Sequence, residues 1–216
     1  MEIFKKLELW MDPVSRAGPE AMAVDEWLLE NVTAPLLRVY RWDGDWASVG
    51  YFGNIAEARR ALPSVRWVRR WTGGGMVDHR ADWTYSLIVP QAEPLARVRG
   101  AESYRWIHTA LARVLVGEGI PVNVSDGSAE TGAALCFENP VSADLVGADG
   151  QKIAGAGQRR TRHGLLHQGS VRMAWGEHKR AERFAAELSE TWQRVEIDMI
   201  EKPTARYDNK QWLERR

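Results

Sequence analysis

Apolar side chains at Ala21, Val24, Leu28 and Val32 recur at three- and four-residue intervals behind Pro19, which predicts a helix through about Asn31 with one buried face. The pattern then shortens to strand-like runs at 36–42, 48–52 and 65–71, with a turn signal at Asp43-Gly44 between the first two. A further run at 83–89 stops at Pro90. Helical spacing returns over 103–118, where Ile107, Leu111, Val114 and Leu115 share a side and Gly119 marks the exit. Residues 122–125 predict a strand, 126–134 a loop of small residues, and 143–148 and 152–158 the arms of a hairpin around Asp149-Gly150. One more strand is expected at 165–173, a helix at 177–192 with Ala181, Phe184 and Leu188 inward, and a last short helix at 208–216. Hairpins interspersed with helices, rather than strict alternation, predict an α+β fold: a mixed, largely antiparallel central sheet flanked by helices.

Composition narrows the picture. The 216 residues carry no internal repeat or long linker, so a single domain over 1–216 is expected. The 29 basic and 29 acidic side chains cancel, and the short arginine pairs have acidic neighbours, which excludes the basic stripe of a nucleic-acid binder. There is no apolar run of about 18 residues that would span a membrane. Lys5 and Lys6 are followed by Glu8 and Asp12, where a signal peptide needs an apolar core, so the cytoplasm is the expected compartment. The chain has one cysteine, Cys136, and therefore no internal disulfide.

Three segments are poorly explained by folding alone. Arg69-Arg70-Trp71-Thr72 runs into Gly73-Gly74-Gly75 and then Met76-Val77-Asp78-His79. Successive glycines lose entropy on ordering and gain no packing. What they offer is close approach of a ligand to backbone N–H groups, with Arg70 at hand for an anionic group; an ordinary flexible loop is the other reading. In the second segment, Gly155 and Gly157 flank Ala156 and bare one face of a strand for a chain-like ligand, with Lys152 at its start as an edge lysine or a functional cation. The pattern lacks the third glycine of a dinucleotide fingerprint. The third segment, Leu135-Cys136-Phe137, suits either a small buried hydrophobe or a nucleophile. His163 and His167 lie in turn and strand, so no metal centre is expected, and His108 reads as packing or surface.

Taken in order, these segments resemble the biotin/lipoate protein ligase and octanoyltransferase superfamily. The resemblance covers most of the chain. It is carried by Gly18-Pro19-Glu20-Ala21-Met22-Ala23-Val24-Asp25-Glu26, by Leu37 to Trp42 and Ser48 to Phe52, and by the Arg-Arg-x-Thr-Gly-Gly-Gly loop with His79. Lys152-Ile153-Ala154-Gly155-Ala156-Gly157-Gln158-Arg159 and Leu166-His167-Gln168-Gly169-Ser170 complete it. It implies a tunnel for an octanoyl or lipoyl chain, bound by Arg70, Gly73, Gly74, Gly75, Met76, Val77, His79, Gly155, Ala156, Gly157 and His167. It also implies catalysis by Cys136 and Lys152, because one branch of the cysteine-dependent octanoyltransferases carries a Cys-Phe pair ahead of the lysine strand.

The resemblance leaves three activities open. A transferase of this kind takes the acyl group from octanoyl-acyl carrier protein and passes it to a lipoyl domain or a glycine-cleavage H protein, with no cofactor. A lipoate–protein ligase would instead use ATP and Mg, and a non-catalytic relative would only bind an acyl group or a partner. Ala143 stands where ligases commonly carry Asn before Asp-Leu, and the 24 residues beyond position 192 are too few for an accessory domain's core, which favours the transferase. With zero net charge, any docking face for an acidic carrier must be local; Arg159, Arg160 and Arg162 are expected to build it.

Overall fold

The computed structural model describes residues 3–127, 141–173, 178–198 and 206–215. In chain order the first elements are β1 (Leu7–Met11), α1 (Gly18–Asn31), β2 (Leu36–Tyr40), β3 (Trp46–Val49), α2 (Ile55–Ala61), β4 (Arg66–Arg69) and β5 (Met76–Asp78). Then come β6 (Trp83–Pro90), α3 (Pro94–Arg97), α4 (Gly100–Gly117), β7 (Val122–Val124) and β8 (Leu145–Gly147). The remainder are β9 (Lys152–Thr161), β10 (Gly164–Val171), α5 (His178–Leu188), β11 (Trp192–Arg194) and α6 (Lys210–Glu214). Among the described residues, one sheet runs β11-β1-β2-β6-β10-β9-β8-β7 and a smaller one β4-β3-β5. In the large sheet β1 pairs in parallel with β2 and β11, and the other neighbours are antiparallel, so the expected α+β class holds.

Strand alternation sorts side chains between the two layers. Trp83, Tyr85, Leu87 and Val89 of β6 pack with Ile107, Leu111 and Leu115 of α4 and Phe184 of α5. Ile88 packs from the other face with Leu166 and with Val24 and Leu28 of α1. Thr84 and Ser86 share that second face and are buried, which puts polar groups where apolar ones would pack. Ser86 Oγ donates to Asp25 Oδ2 at 2.6 Å. Arg38 of β2, fully buried, pairs with Asp25 at 2.6 Å and Asp12 at 2.8 Å, and lies 4.0 Å from the Tyr40 ring centroid. Burial alone would raise the Asp12 carboxyl, but hydrogen bonds and charge from Arg16 and Arg38 hold it below the usual range.

Three features depart from the sequence pattern. Leu7, Leu9 and Trp10 form a buried strand whose alternation is masked by Glu8 and by Asp12, a carboxylate held inside by arginines. The helix expected to reach Trp192 ends at Leu188; Ser189 Oγ donates to the Thr191 carbonyl, and Trp192 enters β11 opposite Leu7. The Asp43-Gly44 turn, with Gly44 at φ 88, joins strands of different sheets rather than a hairpin. No helix of the described residues is long and apolar enough to cross a membrane.

Candidate active site

On the α1 face of the large sheet, Gly155 and Gly157 of β9 and Gln168 and Ser170 of β10 floor a narrow cavity of about 30 Å³. Met22, Tyr40, Trp42, Ser48, Arg70, Val77 and His79 close it from the other side. The glycine loop is held by its own arginine. Arg70 Nη2 donates to the Gly73 and Gly75 carbonyls at 2.9 and 2.8 Å, and Nη1 to Ser48 Oγ at 3.0 Å. Thr72 Oγ1 donates to Gln168 Oε1 at 2.7 Å, and Gln168 Nε2 donates to Asp25 Oδ2 at 2.7 Å. A carboxylate only accepts, so Asp25 fixes which way the Gln168 amide faces. The loop then rests directly on β9: a Cβ at Gly157 would stand 2.4 Å from the Gly73 carbonyl oxygen.

One wall of the cavity is polar and ordered. His79 Nδ1 lies 2.7 Å from Asp82 Oδ2, and its Nε2 lies 2.8 Å from Ser48 Oγ. Asp82, a carboxylate, only accepts, so His79 carries a proton on Nδ1 toward it, while Ser48 Oγ accepts from Arg70 and contacts His79 Nε2. Trp42 stacks on the imidazole with centroids 4.1 Å apart and planes 18° from parallel. Ser170 and Thr84 donate further hydrogen bonds to Asp82.

Lys152 occupies the far end of the glycine-stripped strand. The register between β8 and β9 shifts at Leu145/Val146, and the buried ammonium pairs with Asp144 Oδ2 at 2.6 Å. Gly155 makes room for it, since a Cβ there would stand 2.6 Å from Nζ. Tyr104 Oη donates to Asp144 Oδ1 at 2.5 Å and accepts from the Ala156 N–H at 2.7 Å. The preceding residue, Ala143, has φ 70, a left-handed conformation that costs a non-glycine residue roughly 1 kcal/mol. His108 Nδ1 bonds the Ala143 carbonyl at 2.8 Å, and Ser125 brackets the turn through two backbone hydrogen bonds.

Of the residues singled out in the sequence, Arg70, Val77, His79, Gly155, Ala156 and Gly157 line the cavity. Gly73 to Gly75 form its loop, and Met76 packs into the core beneath the small sheet. His167 does not join them. It points to the opposite face of β10, fully buried, where Tyr85 Oη lies 3.2 Å from Nε2 and Gln158 Nε2 lies 3.0 Å from Nδ1. Asp78 also turns away from the cavity and pairs with Arg80 at 2.6 Å. Cys136 lies outside the described residues. Ser48, Asp82, Asp144 and Gln168 carry the geometry without having been singled out for it. Ser48 and Gln168 are polar residues inside buried strands, and Asp82 and Asp144 each stand directly ahead of one.

The two buried imidazoles carry a pH signature. Burial lowers His108 to about 4 and His167 well below its usual value. In the unfolded chain both titrate near 6.5. Between those values the unfolded state binds more protons, so stability is full above about pH 6.5 and falls as pH drops toward 4. His108 alone accounts for about 2 kcal/mol between pH 7 and 5. Urea unfolding at the two pH values checks this: the loss should shrink in His108→Phe, and an identical loss would remove the assignment.

The mixed sheet, the glycine loop seated on a glycine-stripped strand and the buried lysine at its end define the catalytic-domain class of the lipoate ligases and their relatives. The fold is that of lipoate-protein ligase A bound with ATP (TM-score 0.70, 19% identity, 99% of each chain covered). It is also that of a lipoate ligase-like protein from T. acidophilum with bound lipoic acid (TM-score 0.73, 19% identity, 97% of this chain and 99% of that one). Residues 18–194 match the lipoyl protein ligase A/B catalytic domain, and the chain belongs to that family. It is similar to the Octanoyltransferase LipM of Carboxydothermus hydrogenoformans, 34% identical over 176 residues, 76% of this chain and 65% of that protein. The Bacillus subtilis Octanoyltransferase LipM is 29% identical over 201 residues, 85% of this chain and 72% of that protein. The chain thus spans about two thirds of the curated relatives, 65% and 66% for two of them.

Proposed function

We propose that this protein moves an octanoyl group from a carrier-protein thioester through a Cys136 acyl-enzyme to a lysine of a lipoyl domain. The observation that carries the reading is the likeness to proteins named octanoyltransferases, joined to a cavity lined by Gly155, against which the buried Lys152 lies. In the first step the Cys136 thiolate attacks the donor carbonyl, the C–S bond to the carrier breaks, and the carrier thiolate leaves. The new thioester is nearly level in energy with the old one. In the second step a deprotonated lysine amine attacks, an amide C–N bond forms, and the Cys136 sulfur departs and takes up the remaining amine proton. The amide lies downhill, so no ATP is consumed. Splitting the transfer lets two bulky proteins visit one site in turn.

Lys152 acts in both steps in this reading. Because Asp144 compensates its charge, the ammonium offers a directed N–H donor to the thiolate and acyl oxygen. The glycine loop and the bare face at Gly157 shape the acyl channel. Gly157→Ala should therefore displace the loop through the Gly73 carbonyl, lower kcat/KM about tenfold and, because the clash is with backbone, lower the melting temperature as well. Unaltered kinetics would show that the loop seat is unimportant. The reading itself is tested by incubating the protein with octanoyl-carrier protein without ATP, followed by intact mass spectrometry and peptide mapping. An octanoyl adduct on Cys136 that passes to a lipoyl domain is expected; transfer that occurs only with ATP and free octanoate overturns it.

A further inference from the structure

Beside the glycine loop the surface carries a closed ring of alternating cations and aromatic faces. Arg159 lies over Tyr51 and Trp71, with its guanidinium carbon 4.7 and 4.8 Å from the ring centroids. Arg206 lies over Trp71 and Trp212 at 5.3 Å each, and Arg215 over Trp212 and Tyr51 at 4.9 and 4.1 Å. Phe52 meets Tyr51 edge-on at its border and is 85% exposed, an uncommon position for a large apolar side chain. The ring is held from below. Buried Arg69 donates to the carbonyls of Gly50, Tyr51 and Gly53 and to those of Leu213 and Arg215, which locks α6 onto the segment that carries Phe52. Arg206 also pairs with Glu26; among the described residues, Arg159 and Arg215 pair with no carboxylate. A chain of zero net charge therefore concentrates positive charge here, around an exposed aromatic. Arginine and aromatic anchors are the residues that dominate protein interfaces.

We infer that this crown is the docking face for the acyl donor: a small acidic protein that carries the acyl thioester on an extended arm. The inference rests on the transferase reading above. Charge sets the partner's sign, and distance sets which partner it is. Arg159 lies four residues along β9 from Gly155, where Lys152 rests, about 13 Å at 3.3 Å per residue. A lysine on the surface of an acceptor does not bridge that gap, whereas a prosthetic arm threading past Gly157 does. Of the arginines expected in such a face, only Arg159 belongs to it. Arg160 turns to the other face of β9 and donates to the Val98 carbonyl and Ser103 Oγ, and Arg162 contacts His163.

The test compares two donors with the same acyl group, octanoyl-acyl carrier protein and octanoyl-pantetheine, in Phe52→Asp and Arg215→Glu proteins. With the carrier, KM should rise about tenfold or more at low ionic strength, and the difference should narrow as salt is added. With the small thioester, kcat/KM should stay within twofold, and KM for the lipoyl domain should not move. No change with the carrier, an equal loss with both donors, or a loss confined to the lipoyl domain would each overturn the inference. Calorimetric titration of the carrier into wild-type and variant proteins reads docking without turnover. A wild-type protein that binds the carrier but never becomes acylated would remove the transferase reading and leave the docking face standing.

Discussion

Asp144→Asn should reduce the rate of Cys136 acylation about 10²-fold or more, and should do so with a distinctive pH dependence. In the wild-type protein Lys152 is buried, and its charge is matched by a carboxylate 2.6 Å away. Removing that carboxylate takes a charge partner from the buried ammonium, at a cost of up to about 3–5 kcal/mol unless the ammonium gives up its charge. The lysine in the variant takes that escape, and its pKa drops below the ordinary value of about 10.4. Between the two values the unfolded chain binds more protons than the native one, so the variant's stability rises with pH. Its activity runs the other way, because a neutral lysine no longer donates a charged N–H to the thiolate. Opposed trends in stability and acylation between pH 6 and 9 are the expected result, read by denaturant titration and intact mass. Parallel trends would mean that Asp144 serves the fold and not the lysine. Tyr104→Phe, which removes the hydroxyl that bonds Asp144 and accepts from the Ala156 N–H, should show a weaker version of the same pattern.

That pair also shows how far a sequence can be read. Lys152 stands out in the sequence because glycines follow it, whereas the Ala-Asp-Leu run draws notice for Ala143 and not for Asp144. Nothing in the spacing said that the two would meet, because the meeting depends on a register shift between β8 and β9. The long elements were legible: α1, α4, β6 and the β8–β9 hairpin around Asp149-Gly150 lie close to where periodicity and turn signals put them. β1 was not, since its flanking Asp12 is neutralised by Arg16 and Arg38 from elsewhere in the chain. The cavity was half legible. Glycines and His79 advertise themselves, but the groups that orient His79 come from β3, from the start of β6 and from β10. His167 shows the complementary failure. Its motif placed it in the site, but alternation along β10 sends residues 166, 168 and 170 to the cavity face and 167 to the helices.

Arg38→Met is the substitution expected to cost the most stability, about 3–5 kcal/mol, with a fall in melting temperature of roughly 6–20 °C. Arg38 is the shared cation of two buried carboxylates. Asp12 would keep Arg16, whereas among the described residues Asp25 would keep only the hydroxyl of Ser86 and the amide of Gln168. An uncompensated buried carboxylate moves its pKa above the usual value of about 3.9. The native variant then binds more protons than the unfolded chain, and its deficit should shrink as pH falls from 7 to 5. Adding Asp25→Asn removes the stranded charge and should restore much of the stability. It should not restore function to the same degree, because Asp25 also fixes the amide that holds Thr72 and so the glycine loop. A double variant with wild-type melting behaviour and a raised KM for the acyl donor would separate the two duties of one carboxylate. Recovery of both together would mean that the loop takes its position from Arg70 and Gly157 alone.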